Sequence, residues 1–267
     1  MYKHLGALAT LGLSALLTAC GGHGGGDAAG NGNPSSNAGA GSNAFVEGAW
    51  SGSNAKNDTL DLLLLENGDL YAMFSSVPTG QVPTLVFDKG RYSVSGNMLT
   101  ATVVQYNDNG STVSGTLGAT VQAGVSITGS ASNTGSTASN TFSVTPTSAV
   151  HAGYNYSTPA ALSDIAGAWT STYLLGQNTP FALSITPSGA LAATDLGCSI
   201  AGSITPRSSG KNVFNISLSF GQSPCRLAGQ TVAGVAISYL RPNGQRQLSA
   251  AMLDSSKAQG AMLYAQR

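Results

Sequence analysis

Few residues in this chain could carry out catalysis, and their surroundings do not suit it. His151 is the only histidine in the part of the chain with regular hydrophobic patterning, so a Ser-His-Asp triad would depend on it alone. Ser208 and Lys211 have the Ser-x-x-Lys spacing of an acylating serine, but Pro206 and Gly210 favour a turn with a basic tip. The Gly-x-Ser-x-Gly, His-Glu-x-x-His and phosphate-loop motifs are absent from the sequence. We therefore expect that the protein is not an enzyme.

Carboxylates and aromatic residues are weaker candidates for a site. Asp58 with Asp61, and Glu66 with Asp69, are close enough in sequence for a hydrolase pair, but they border predicted turns, where solvated carboxylates are common. The sequence has neither an Asp-x-Asp calcium loop nor a His/Cys cluster, so we expect no metal and no cofactor. Packing in the core or at the rim is the default for aromatic side chains, but four of them could line a ligand cup: Tyr71, Phe74, Tyr92 and Tyr106.

The first twenty residues are typical of an export signal. Lys3 is followed by a mostly apolar run, Leu5–Leu17, which is shorter than the roughly 20 apolar residues that a membrane-spanning helix needs. The run ends in Leu17-Thr18-Ala19-Cys20, which resembles the lipobox of bacterial lipoproteins. This resemblance implies a signal peptide over residues 1–19 and the attachment of lipid to Cys20.

The residues after Cys20 predict where the protein is held. In lipoproteins of this kind, an acidic residue at the next position marks retention in the inner membrane, and Gly21 and Gly22 are present instead. The resemblance therefore implies a lipid anchor in the outer membrane, on either its periplasmic or its surface side. Residues 20–44 contain no large apolar side chain, and this composition predicts an acylated cysteine followed by a disordered, glycine-rich tether.

The two remaining cysteines, Cys198 and Cys225, predict a disulfide. An exported protein meets an oxidising compartment, and two cysteines allow a single intramolecular pairing. The alternatives are a free thiol pair and a metal site, but no histidine or third cysteine lies nearby in the sequence.

From Phe45 onward, apolar residues recur with a period of two, which is typical of strands with one buried face. The pairs Asn67-Gly68 and Asn243-Gly244 lie between apolar runs and predict hairpin turns. In the second half, this pattern predicts eight strands, near residues 167–174, 181–186, 190–195, 199–204, 211–220, 230–240, 245–254 and 258–265.

A repeat divides the patterned region in two. The sequence Val46-Glu47-Gly48-Ala49-Trp50-Ser51 recurs as Ile165-Ala166-Gly167-Ala168-Trp169-Thr170, and the two copies contain both tryptophans of the chain. The repeat predicts two domains of the same build, residues 45–156 and residues 157–267, the second with the disulfide. Eight short antiparallel strands close naturally into an up-and-down barrel, although a sandwich fits the same periodicity. We predict an all-β fold with two small antiparallel, eight-stranded up-and-down barrels in tandem after the tether.

The Gly-x-Trp openings at Gly48/Trp50 and Gly167/Trp169 resemble the first strand of lipocalins and avidins. This resemblance implies that each tryptophan closes one end of its barrel. It implies no ligand, because the lipocalin Thr-Asp-Tyr element and the biotin-contacting residues of avidins are missing. The tether before the barrels resembles that of factor H-binding and transferrin-binding surface lipoproteins. The whole chain resembles proteobacterial outer-membrane lipoproteins with paired small β-domains.

The formal net charge of zero conceals an asymmetry between the two halves. Residues 45–156 contain three basic and seven acidic residues, a net charge of −4, whereas residues 157–267 contain seven basic and three acidic residues, a net charge of +4. The asymmetry predicts that the domains attract each other, or that the second domain faces an anionic envelope polymer. The chain has no basic excess, so we expect no nucleic-acid partner.

Taken together, these features predict a membrane-anchored, non-enzymatic binding module of the cell envelope. The alternative is a structural or assembly-factor envelope lipoprotein with a protein partner. An open apolar cavity of roughly 300 Å³ or more in a barrel would favour a small ligand. Filled barrels with a conspicuous surface patch would favour a macromolecular partner.

Overall fold

The computed structural model describes residues 45–76, 84–107, 109–174 and 180–267. The predicted signal peptide and tether, including Cys20, lie outside these residues. The described residues form two closed antiparallel barrels of eight strands each. The prediction of paired eight-stranded barrels is confirmed, and the sandwich is excluded.

The first barrel closes where β1 pairs with β8, and each other strand pairs with its neighbours in the sequence. Its strands are β1 (Gly48–Asn54), β2 (Thr59–Leu64), β3 (Asp69–Ser76), β4 (Thr84–Ser95), β5 (Met98–Tyr106), β6 (Thr112–Gln122), β7 (Ser126–Asn133) and β8 (Ser139–Pro146). A four-residue helix, α1 (Thr147–Val150), follows β8.

The second barrel begins after a short 3₁₀ turn, Leu162–Asp164, and closes where β9 pairs with β16. Its strands are β9 (Gly167–Leu174), β10 (Phe181–Ile185), β11 (Ala190–Asp195), β12 (Cys198–Pro206), β13 (Phe214–Phe220), β14 (Thr231–Leu240), β15 (Arg246–Asp254) and β16 (Gly260–Gln266). Among the described residues, no helix has the length and apolar character needed to pass through a membrane.

Each barrel interior is filled by the alternate side chains of its strands. Trp50 and Trp169 occupy matching places, because each indole nitrogen donates to a backbone oxygen four residues earlier, on Val46 at 3.0 Å and on Ile165 at 2.8 Å. Both indoles are buried. The tryptophans therefore lie where the chain enters each barrel, and their predicted role of closing that end stays a prediction.

A second apolar region lies between the barrels. Outward-facing side chains of β1 to β4, such as Leu63 and Phe87, pack with outward-facing side chains of β14 to β16, such as Ile237 and Met262. This packing explains why Leu62–Leu65 is buried without alternation, since one face fills the first barrel and the other contacts the second. The two barrels therefore share a core outside either interior.

Polar contacts also join the barrels. Glu66 pairs with Arg207 at 2.8 Å and Glu47 pairs with Lys211 at 3.0 Å. Each pair joins an acidic residue of the first half to a basic residue of the second. Part of the charge asymmetry is thus used to hold the two halves together.

Candidate functional site

The first barrel has a polar recess at the end opposite Trp50. The recess has a volume of about 230 Å³ and is formed where β1, β3, β5 and β8 reach this end. It is lined by Asn54, Lys56, Asp58, Phe74, Ser76, Val86, Gln105, Asn107 and Asn140. A much smaller apolar gap of about 10 Å³ adjoins it, and Phe74 and Asn140 line both. Both volumes are below the roughly 300 Å³ of a typical small-ligand cavity, so the recess suits one small polar group.

A buried carboxylate lies beside this recess. Asp88 is 3% exposed and is one inward-facing position further along β4 than Val86, which lines the recess. It lies directly opposite Gln105 of β5, another lining residue. The carboxylate oxygen Oδ1 is fully buried and has no hydrogen-bond partner among the described residues. Such a group is costly to bury unless something pairs with it.

The pKa of Asp88 reflects this environment. Burial raises the pKa of the carboxyl group to about 7, and the Gln105 side chain opposite it offsets only part of that rise. A carboxyl group with a pKa near neutrality therefore lies next to two lining residues of the recess, Val86 and Gln105.

In the part of the chain that the structure describes, the second barrel has no recess at the corresponding end, and the residues that match Asp88 and Gln105 differ there. Gly90 and Gly202 match, because each lies in the fourth strand of its barrel and a Cβ there would collide with a backbone oxygen of the next strand. Two residues before each glycine, the first barrel pairs Asp88 with Gln105. The second barrel pairs Ile200 with Phe220 at those positions. A polar pair therefore replaces an apolar one.

The corresponding end of the second barrel is closed by its own chain. Cys198, at the start of β12, forms a disulfide with Cys225 in the connection between β13 and β14, which confirms the predicted pairing. Cys225 and Leu227 of this connection are buried in the interior cluster of the second barrel. The disulfide thus holds a plug over an apolar interior, whereas Val86 takes the place of Cys198 in the first barrel.

A polar cluster lies between the barrels. The Asp61 carboxylate accepts hydrogen bonds from Ser51 Oγ at 2.9 Å and from Tyr239 Oη at 2.7 Å, and a cavity of about 150 Å³ adjoins it. His151 stacks on Tyr239 with ring centroids 4.0 Å apart. Burial raises the pKa of Asp61, and burial followed by the charge of Arg241 lowers the pKa of His151.

This cluster does not have the geometry of a catalytic triad. Within the described part of the chain, no hydrogen bond joins His151 to Asp61 or Ser51, and its Nδ1 atom has no partner. Ser51 is hydrogen-bonded to Asp61 and is 2.9 Å from the hydroxyl of Thr147. The cluster therefore joins β1, β2 and α1 to β14.

A wider groove runs along the junction of the barrels, with a volume of about 840 Å³. Lys89, Arg91 and Lys257 lie in it together with Asp69 and Asp254. Lys89 bonds Asp69 at 2.7 Å. The groove thus presents mixed charge with a slight basic excess.

The remaining sequence candidates lie away from the recess or at its rim. Lys211 pairs with Glu47 and is 5.3 Å from the ring centre of Tyr156, so the Ser-x-x-Lys segment belongs to a turn that contacts the first half. Of the four aromatic residues proposed for a cup, Phe74 alone lines the recess. Tyr92 is in the interior cluster of the first barrel, and Tyr71 and Tyr106 are in the core between the barrels.

Asp88 and Gln105 were not among the site residues predicted from the sequence. The signal was available, because Tyr92 and Val94 fix the inward phase of β4 and Asp88 falls in the same phase. A single acidic residue in a strand is normally assigned to the solvent-facing side, which hid this one.

Comparison with known proteins gives limited information. No protein-family model matches the chain, and no curated protein matches it in sequence. The structure is similar to the Aeromonas veronii immune modulator A, at 9% identity and a TM-score of 0.39, over 83% of this chain and 94% of that one. It is also similar to a mutant of the vaccine antigen transferrin-binding protein B from Haemophilus parasuis, at 8% identity and a TM-score of 0.26, over 79% of this chain and 66% of that one. Neither similarity is high enough to support an argument about function.

Proposed function

We propose that this protein is a non-enzymatic binding module of the bacterial cell envelope, and that the open end of its first barrel holds the ligand. The observation that carries the proposal is the replacement of the apolar pair Ile200 and Phe220 by Asp88 and Gln105 at the matching positions of the first barrel. An apolar pair satisfies a barrel interior, as the second barrel demonstrates. The buried carboxylate lowers stability unless a partner occupies the recess.

The second barrel has a supporting role in this proposal. Its interior is apolar, and the loop bonded through Cys225 covers the end that corresponds to the recess. Its outer face packs against the outer face of the first barrel, so it holds the strands that form the recess. Binding and support are therefore divided between two barrels of the same build.

The proposal also includes the cellular location of the protein. Acylation of Cys20 would anchor it in the outer membrane, with residues 21–44 as the tether and the barrels on the periplasmic or surface side. Two or three acyl chains give firm anchoring, whereas a single chain is marginal.

One observation favours the alternative function, an envelope lipoprotein with a macromolecular partner. The groove between the barrels is about 840 Å³ and exceeds the recess in volume. Its three basic residues suit an anionic envelope polymer or an acidic protein surface. This function predicts binding that weakens as salt rises.

The proposed function can be tested with a variant that copies the second barrel into the first. Asp88→Ile combined with Gln105→Phe should remove the site, and Ser93→Ala with Thr100→Ala is a matched control on the outward face of the same two strands. The full chain, in detergent micelles, is incubated with a size-filtered extract of small molecules from the envelope, and retained compounds are identified by mass spectrometry. We expect the wild type and the control to retain compounds that the recess variant loses.

Equal retention by the wild type and the recess variant would contradict the proposed site. A thermal unfolding scan of each protein checks that it is folded. If the double variant does not fold, Gln105→Leu is a milder substitution that removes the polar side chain opposite Asp88.

A further inference from the structure

The polar groups at the rim of the recess are largely satisfied within the chain. The Oδ1 atom of Asn54 accepts from the backbone N–H groups of Lys56 at 2.9 Å and Asp58 at 3.0 Å, while its Nδ2 donates to the Asp58 carboxylate at 2.7 Å. Asn107 donates to Ser111 Oγ at 3.2 Å. These contacts build turns, so they leave Asp88 as the strongest acceptor without a full set of partners.

No basic side chain of the described residues forms an ion pair with Asp88. The first half has only three basic residues, Lys56, Lys89 and Arg91. Lys56 is exposed in the turn after β1 and lines the rim of the recess, whereas Lys89 and Arg91 lie on the outer face of β4 with Asp69. The described residues therefore leave this carboxylate without a cation at salt-bridge distance.

The walls of the recess indicate the shape of a group that could supply such a cation. A volume of about 230 Å³ corresponds to roughly eight water molecules at about 30 Å³ each, so it accepts a short chain and not a folded molecule. Phe74 and Val86 offer apolar contact to methylene groups, while Gln105 and Asn140 offer amide oxygens to N–H donors. A small apolar gap lined by Leu60 and Leu62 adjoins the wall at Phe74.

We propose that the recess binds a primary ammonium group on a short alkyl chain, with the ammonium paired to Asp88. This inference rests on the proposed function, because it names the ligand class of the same site. An ammonium has three donors and no acceptor, which suits a carboxylate oxygen that lacks a partner beside amide oxygens. The same chemistry is found in a free diamine and in the lysine side chain of a partner protein.

The test uses the full chain in detergent micelles and three probes at 150 mM salt. The probes are 1,4-diaminobutane, Nα-acetyl-lysine methylamide and the uncharged 1,4-butanediol, and binding is measured by ligand-observed NMR titration. We expect at least one amine to bind the wild type and the diol not to bind. Asp88→Asn should weaken that binding tenfold or more, because the charge-assisted hydrogen bond is lost while the shape is kept. Asp164→Asn is the control, since it removes one exposed carboxylate in the 3₁₀ turn before the second barrel.

The two amines separate the possible sources of the group. Binding of the diamine alone supports a free amine, and binding of the lysine derivative supports a side chain of a partner. Equal amine affinity in the wild type and Asp88→Asn would overturn the inference, as would the absence of amine binding. If neither amine binds but the recess variant still loses compounds from the envelope extract, the site stands and the ammonium class is wrong. If the extract experiment fails as well, the proposed function is also wrong.

Discussion

Asp88 should make the stability of the protein fall as pH rises. Burial raises its pKa from 3.8 to about 7, so the folded state binds a proton more tightly than the unfolded state does. The resulting stabilisation is complete below pH 3.8 and is lost as pH rises through about 7. The full effect is about 4 kcal/mol, at about 1.4 kcal/mol per pKa unit. Between about pH 5 and about pH 9, the loss in the free energy of unfolding is about 2–3 kcal/mol.

Urea unfolding at pH 5, 7 and 9 tests this expectation with the wild type and Asp88→Asn. Asp61 is also raised in pKa by burial and adds a slope of the same sign, so the informative quantity is the difference between the two proteins. We expect Asp88→Asn to lose about 2–3 kcal/mol less than the wild type over this range. Asp164→Asn should run parallel to the wild type. Parallel curves for Asp88→Asn and the wild type would refute a buried, unpaired Asp88.

Three further predictions concern the disulfide, His151 and Cys20. Replacing Cys198 and Cys225 by serine should lower the free energy of unfolding by about 3–4 kcal/mol and make the β13–β14 connection sensitive to protease, whereas intact protein alkylated without reductant should show no free thiol. The wild type should lose stability as pH falls below about 6.5, because burial lowers the pKa of His151 and the unfolded state then binds more protons than the folded state. His151→Phe should remove this loss. An unchanged dependence of stability on acid pH in the variant would contradict the prediction. Cys20→Ala should abolish incorporation of labelled palmitate, and undiminished labelling would disprove lipidation at this residue.

Much of the second barrel could be predicted from the sequence because several of its strands alternate cleanly. The predicted strand near 181–186 is observed as Phe181–Ile185, and that near 211–220 as Phe214–Phe220. Alternation is clean where one face of a strand packs in a barrel and the other meets water. Closure into a barrel could not be read from the same pattern, since a sandwich buries alternate residues in the same way.

The core between the barrels could not be predicted, because a strand that is buried on both faces does not alternate between apolar and polar residues. Leu62–Leu65 is buried on both faces, and so are several residues of β14 and β15. A continuous apolar run does not indicate which face meets which neighbour. Asp88 was missed for a different reason, since a single acidic residue in a strand is normally assigned to the solvent-facing side, although Tyr92 and Val94 fix its inward phase. The cysteine pairing, in contrast, could be predicted from the sequence. Two cysteines remain besides Cys20, and an exported protein meets an oxidising compartment, so one disulfide is expected.

The shared apolar face between the barrels has a consequence for the order in which the chain can mature. Strands β1 to β8 are complete before β9 has been synthesised, so the first barrel can close while Leu63, Met73 and Phe87 on its outer face are still uncovered. Until β14 to β16 have folded against it, this exposed apolar face can aggregate with other incompletely folded chains. The yield of folded protein should therefore depend on how quickly the last three strands follow.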